Sequence, residues 1–136
     1  MYEQFEHTAD LGLRVRAANL NTVFAEAADC LFSVIVENPE SIRAIDEQSL
    51  ELAGEDREYL LFDWLRELLN RFETEHWLLA KSEVRVGPTG LSARLWGEPF
   101  DPARHRLAHE VKAITYHELS LKPTPDGWLA EVIIDI

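Results

Sequence analysis

The sequence predicts an α+β fold in which two amphipathic helices pack on a largely antiparallel sheet that ends in a C-terminal β-hairpin. Three observations carry that prediction. Residues 56–72 place Leu60, Leu61, Trp64, Leu65, Leu68, Leu69 and Phe72 at helical spacing, the mark of a helix pressed along one face onto a sheet. Residues 11–17 alternate Leu11, Leu13, Val15 and Ala17 against Gly12, Arg14 and Arg16, as a half-buried strand does. The chain then closes with two apolar runs, 109–121 and 128–136, flanking residues 123–127. There Pro123 and Pro125 fix φ, Asp126 can bond its own backbone and Gly127 tolerates positive φ, so the chain reverses.

Taken in order, residues 2–6 suit a short strand before the alternating one at 11–17, with His7-Thr8-Ala9-Asp10 as a polar turn between them. Asn21 is a reasonable N-cap for a helix over 22–36, where Phe24, Ala27, Ala28, Leu31 and Ile35 recur at helical spacing until Pro39 stops it. Residues 41–52 offer an interrupted strand, best formed at 49–53. The helix over 56–72 follows, its outer face a solvated mixture of Asp63, Arg66, Glu67, Asn70 and Arg71. Strands over 77–86 and 91–96 join through Gly87-Pro88-Thr89-Gly90 in a tight reversal. His105 and His109, which lack metal-ligand spacing to a second good ligand, read as solvated or core-edge residues on the way to the last hairpin.

A length of 136 residues suits one domain spanning 1–136, large enough to bury roughly two thirds of its unfolded surface. Twenty-five acidic residues against thirteen basic ones give a formal charge of -12, which repels a phosphate backbone and favours a basic protein partner or a cation over unaided nucleic-acid binding. Cys30, the only cysteine, leaves no internal disulfide and no cysteine metal cluster, a usage that suits a reducing cytoplasm; the thiol itself reads as a small buried hydrophobe. Neither a signal core nor a membrane-length apolar run is present, so a soluble, cytoplasmic protein with no membrane partner is expected.

The terminal hairpin carries a conflict. A strand so apolar should be buried, yet Lys112, Thr115, Tyr116, His117 and Asp135 lie along it, and buried ionisable groups need partners or a function. Asp135 falls opposite Thr115 if residues 123–127 form the loop, or opposite Glu118 if Asp126-Gly127 alone turns. No glycine-rich phosphate loop, paired CxxC, HExxH or Gly-x-Ser-x-Gly turn is present, which removes the nucleotide-hydrolase, zinc and serine-hydrolase motifs. Oxygen chemistry remains. Asp10, Asp135 and the terminal carboxylate of Ile136 could form a hard, anionic pocket suited to Ca²⁺, Mg²⁺ or Mn²⁺.

Four stretches, His7-Thr8-Ala9-Asp10-Leu11-Gly12, the run from Leu60 to Leu69, Lys112-Ala113-Ile114-Thr115-Tyr116-His117 and the ending Ile133-Ile134-Asp135-Ile136, together resemble the archease family over the whole chain. That resemblance implies an activator of RtcB-type RNA ligases rather than an enzyme. Such activators promote guanylylation of the ligase's active-site histidine and multiple turnover during tRNA splicing, so GTP and tRNA would be met only through the ligase. It also implies a divalent-metal site on Asp10, Asp135 and Ile136, with His7, Lys112, Tyr116 and His117 lining the same surface. For those groups to meet, the first and last strands are expected to be neighbours. The competing expectations are a small metal-dependent phosphoester hydrolase, with His7 or His117 as general base, and a chaperone-like binder, which would require a large exposed apolar patch.

Overall fold

A computed structural model describes all of residues 1–136. The chain runs β1 (Tyr2–His7), β2 (Asp10–Ala17), α1 (Leu20–Ile35), a 3-10 turn (Pro39–Ser41), β3 (Asp46–Ala53), α2 (Arg57–Glu75), β4 (Trp77–Gly87), β5 (Gly90–Pro99), β6 (Ala113–Ile114), β7 (Ser120–Thr124) and β8 (Gly127–Asp135). The strands form two antiparallel sheets rather than one. In the first, β1, β2 and β8 lie in that order, and β6 and β7 share the far edge of β8; in the second the order is β3-β5-β4. Each helix touches strands of both sheets. A single cluster of 34 buried apolar residues therefore unites the whole chain, with Phe24, Trp64, Leu65 and Leu78 among its most enclosed side chains. Trp64 resolves its one polar atom by donating its indole N–H to the Phe24 carbonyl (2.8 Å), which ties α2 to α1.

Local chemistry explains most boundaries. Asp56 accepts the backbone N–H groups of Glu58 (3.0 Å) and Tyr59 (3.2 Å) and so caps α2. α1 is capped by Asn19, which accepts from Thr22 N–H (2.9 Å), and not by the expected Asn21. Two asparagines stood at the same helix start. Asn21 is drawn off by β4, where its side-chain oxygen accepts the Val86 N–H (2.8 Å). The interrupted strand expected at 41–52 begins later, after the 3-10 turn. The β4–β5 reversal is as expected, Gly87 pairing with Gly90 around Pro88-Thr89.

The C-terminal region departs furthest from the sequence reading. β7 pairs with β8 as Thr124↔Gly127 to Ser120↔Glu131, so Pro125-Asp126 alone make the turn. Pro123 is tolerated because β7 has only one partner and its other side is an edge. The strand expected over 109–121 is interrupted. β6 pairs in another register, with Ala113↔Asp135 and Ile114↔Ile134; Thr115 still bonds the Ile133 carbonyl, and residues 116–119 leave β8 before the second register begins. Asp135 thus lies opposite Ala113, not opposite Thr115 or Glu118. The adjacency of first and last strands is corrected as well: β2, not β1, pairs with β8.

Candidate functional site

The two ladders of the first sheet align one row of residues at its end. β1 pairs with β2 through His7↔Asp10, and β2 pairs with β8 up to Leu11↔Ile134. One further step in that register sets Asp10 opposite Asp135, which itself pairs with Ala113 of β6. His7, Asp10 and Asp135 therefore stand side by side on neighbouring strands, and directly opposed residues of antiparallel strands project to the same face. That face is the outer one. Leu13, Val15, Ala130, Val132 and Ile134 alternate with this set and fill the core.

The outer face is organised upward from there. Gly12 lies under the Phe5 ring, in the space a side chain would need, and the Arg14 guanidinium sits 4.3 Å over the same ring. Arg14 is in turn held by Glu3 (3.1 Å) and Glu131 (2.9 Å), and these two hydrogen bonds raise its already high pKa further. Asp10 and Asp135 are both half-buried, and the nearest arginine along β2 is already engaged. Like charges opposed across strands destabilise a sheet. Asp10, Asp135 and Ile136 are all half-buried at this end of the sheet, and oxygen donors of their kind are those that a hard divalent ion takes.

The segment between β6 and β7 supplies the remaining groups. The Lys112 backbone N–H donates to the Asp135 carbonyl (2.7 Å), and Thr115 donates both its N–H (3.1 Å) and its hydroxyl (2.8 Å) to the Ile133 carbonyl. The chain then swings clear of the sheet. His117 N–H donates to the Thr115 hydroxyl (3.3 Å), and Glu118 adopts a left-handed φ of 53°. This turn carries His117 to His7, with ring centroids 5.3 Å apart edge to face, and places a Glu118 carboxylate oxygen 2.8 Å from His7 Nε2. Tyr116 faces the other way. It stacks on Phe62 of α2 at 3.9 Å and meets Tyr59 edge-on at 5.4 Å, so it joins the helix and not the acidic row.

Of the residues singled out from sequence, the structure gathers His7, Asp10, Asp135 and His117 at one end of the sheet, with Lys112 and Ile136 adjoining along the backbone. Glu118 was missed as a member of this cluster. Its position directly after His117 was the available signal, but a continuous strand would have pointed the two to opposite faces. His105 also departs from expectation. It is fully enclosed, with Nδ1 accepting the Asp101 N–H (2.9 Å), which assigns the ring proton to Nε2, 3.0 Å from Glu98.

Residues 2–136 match the model of the Archease protein family (MTH1598/TM1083). The chain belongs to the archease family. Curated archeases from Pyrococcus abyssi (39% identical over 140 residues, covering 99% of this chain and 98% of that one) and Methanosarcina mazei (37%, covering 99% and 95%) are similar over nearly their whole lengths. The solution structure of Methanobacterium thermoautotrophicum protein 1598 shares the archease fold with a TM-score of 0.83 at 31% identity, covering 99% of this chain and 98% of that one. A Thermotoga maritima crystal structure described as an archease and possible chaperone matches at a TM-score of 0.68 and 20% identity, covering 100% and 98%, and supports the fold alone. No helix is long and apolar enough to cross a membrane.

Proposed function

We propose that this chain is an accessory activator of an RtcB-type tRNA-splicing RNA ligase, promoting guanylylation of the ligase and its multiple turnover through a divalent ion held by Asp10, Asp135 and Ile136. The alignment of Asp10 with Asp135 on adjacent strands, in a chain of the archease family, carries this reading. Asp10 and Asp135 would supply carboxylate oxygens and Ile136 a main-chain oxygen to Ca²⁺, Mg²⁺ or Mn²⁺. When bound, such an ion supplies positive charge beside phosphate oxygens where negative charge builds during nucleotidyl transfer. The protein's own contribution is placement: β2 and β8 fix the two carboxylates, and the backbone bond from Lys112 to Asp135 steadies the strand end. Lys112, which is exposed beside that bond, and the ring of His117 offer cationic and hydrogen-bonding contacts at the same tip. A net charge of -12 suits docking against the basic, RNA-binding groove of a ligase in the cytoplasm. GTP and tRNA are then bound by the ligase.

A phosphoester hydrolase at this tip would have Lys112 to meet its substrate but not Arg14, the nearest arginine along β2, which is occupied by Glu3 and Glu131. A chaperone needs a continuous exposed apolar face. The exposed large apolar side chains are six, Met1, Tyr2, Ile45, Tyr59, Leu107 and Tyr116, of which Met1 and Tyr2 are neighbours in the chain and Tyr59 and Tyr116 touch. The test is guanylylation and multiple-turnover ligation by an RtcB-type ligase with and without this protein. Stimulation by wild type and its loss in Asp135→Ala are expected; equal stimulation by both would remove the carboxylates from the mechanism, and release of product from a cyclic-phosphate ester without any ligase would favour the hydrolase.

A further inference from the structure

We propose that His7, His117 and Glu118 form a second cation site, distinct from the carboxylate row, that takes a borderline transition metal such as Zn²⁺. One donor atom from each of the three residues lies within 4.8 Å of the other two. Donors bound tetrahedrally at zinc distances of roughly 2.0–2.2 Å are separated by about 3.4 Å, so the set needs only a small contraction to close on an ion. One pair is already closer than that, His7 Nε2 and the Glu118 carboxylate at 2.8 Å. The contraction falls on the exposed partners, His117 and Glu118, at the tip of the segment between β6 and β7, while His7 is anchored as the last residue of β1.

The donor chemistry separates this site from the other. Two imidazoles and one carboxylate suit zinc and other borderline transition metals, whereas calcium prefers an all-oxygen shell. His7 Nδ1 is buried without a hydrogen-bond partner, so the ring lacks the outer acceptor that metal-bound histidines usually have and is held instead by Glu118 at Nε2 and by the His117 ring against it. The left-handed Glu118 is the second sign. A non-glycine residue held there costs roughly 1 kcal/mol or more, and the turn brings its carboxylate to His7 on the outer face, whereas a strand continued from β6 would point Glu118 to the inner one. Three protein donors at an exposed tip leave a coordination position open to solvent or to a side chain of a docked partner.

The test is direct titration of the full chain with Zn²⁺ by calorimetry, supported by the visible absorption of the Co²⁺ form. One equivalent of Zn²⁺ should bind to wild type and to Asp135→Asn alike, and at least about tenfold more weakly to His117→Ala. Glu118→Gln serves as the second variant; both substituted residues are exposed, and a thermal melt reports on folding. Excess Ca²⁺ should leave the Co²⁺ spectrum unchanged. Zn²⁺ binding that survives His117→Ala and Glu118→Gln but is lost in Asp135→Asn would overturn the proposal, as would no binding to wild type. Neither result bears on ligase stimulation, which is read separately with Asp135→Ala.

Discussion

Replacing Glu98 by glutamine should remove a pH-dependent part of the protein's stability. The Glu98 carboxylate is 3% exposed and takes four contacts: the Arg43 N–H (2.7 Å), the Arg43 guanidinium (3.3 Å), the Arg104 guanidinium and His105 Nε2 (3.0 Å). Burial pushes its pKa up, but the Arg43 N–H, Arg104 and His105 together outweigh burial and bring it from the usual 4.5 down to about 2. Because the folded-state value is the lower one, the contribution is complete above pH 4.5 and disappears as pH falls toward 2. A difference of about 2.5 pKa units corresponds to roughly 3 kcal/mol at neutral pH, an order-of-magnitude figure. Urea unfolding of wild type and Glu98→Gln at a series of pH values isolates this term, since the other carboxylates are common to both. The gap in unfolding free energy should approach about 3 kcal/mol at pH 7 and shrink through pH 4 to 2. A gap independent of pH would refute the assignment. The same network fixes residues 98–106, from which the chain proceeds to Lys112 and β6.

Asp29 is the opposite case, its carboxyl pushed up to about 6 by burial first and Glu26 second, so its charge opposes folding increasingly as pH rises from the usual value through 6. Asp29→Asn should therefore be the more stable protein at pH 7.5, by up to about 3 kcal/mol and less as its partial exposure screens the charge, with the advantage gone by pH 4 in thermal melts. Burial drives the Cys30 thiol up to about 12; a chromogenic disulfide reagent at pH 8 should leave it unmodified in the native protein and react on addition of denaturant, and fast native labelling would contradict its enclosure. Gly12→Val would displace the Phe5 ring and loosen β1 from β2, at a cost of roughly 1–3 kcal/mol; an unchanged chemical-denaturation midpoint would show that the ring does not need that space.

Much of the fold was legible because local and tertiary signals agreed. The stripe from Leu60 to Phe72 and the Asp56 cap both demand α2, and the glycines around Pro88-Thr89 leave β4 and β5 no other connection. The sequence was equivocal where two residues of one type competed. Asn19 and Asn21 can each cap a helix, and only the distant Val86 N–H decides between them. The site was read in part. Asp10, Asp135, His7 and His117 were all marked from sequence, but the route by which they meet was not, because the apolar character of residues 109–121 conceals the left-handed turn at Glu118. Nothing in strand propensity distinguishes one long strand from two short ones in different registers on the same neighbour. The division into two sheets was hidden too, since alternation fixes which face is buried but not which strands share an edge.

The split edge of β8 has a consequence for how this protein can vary. Because β6 and β7 are each anchored to their own stretch of β8, the length of the segment between them is uncoupled from the phase of either ladder. A residue could be gained or lost at 116–119 with both pairings intact, altering which side chains reach His7 while Asp10 and Asp135 keep their places. The carboxylate row is then a platform set by β2 and β8, and the loop above it is a head whose length the ladders do not dictate.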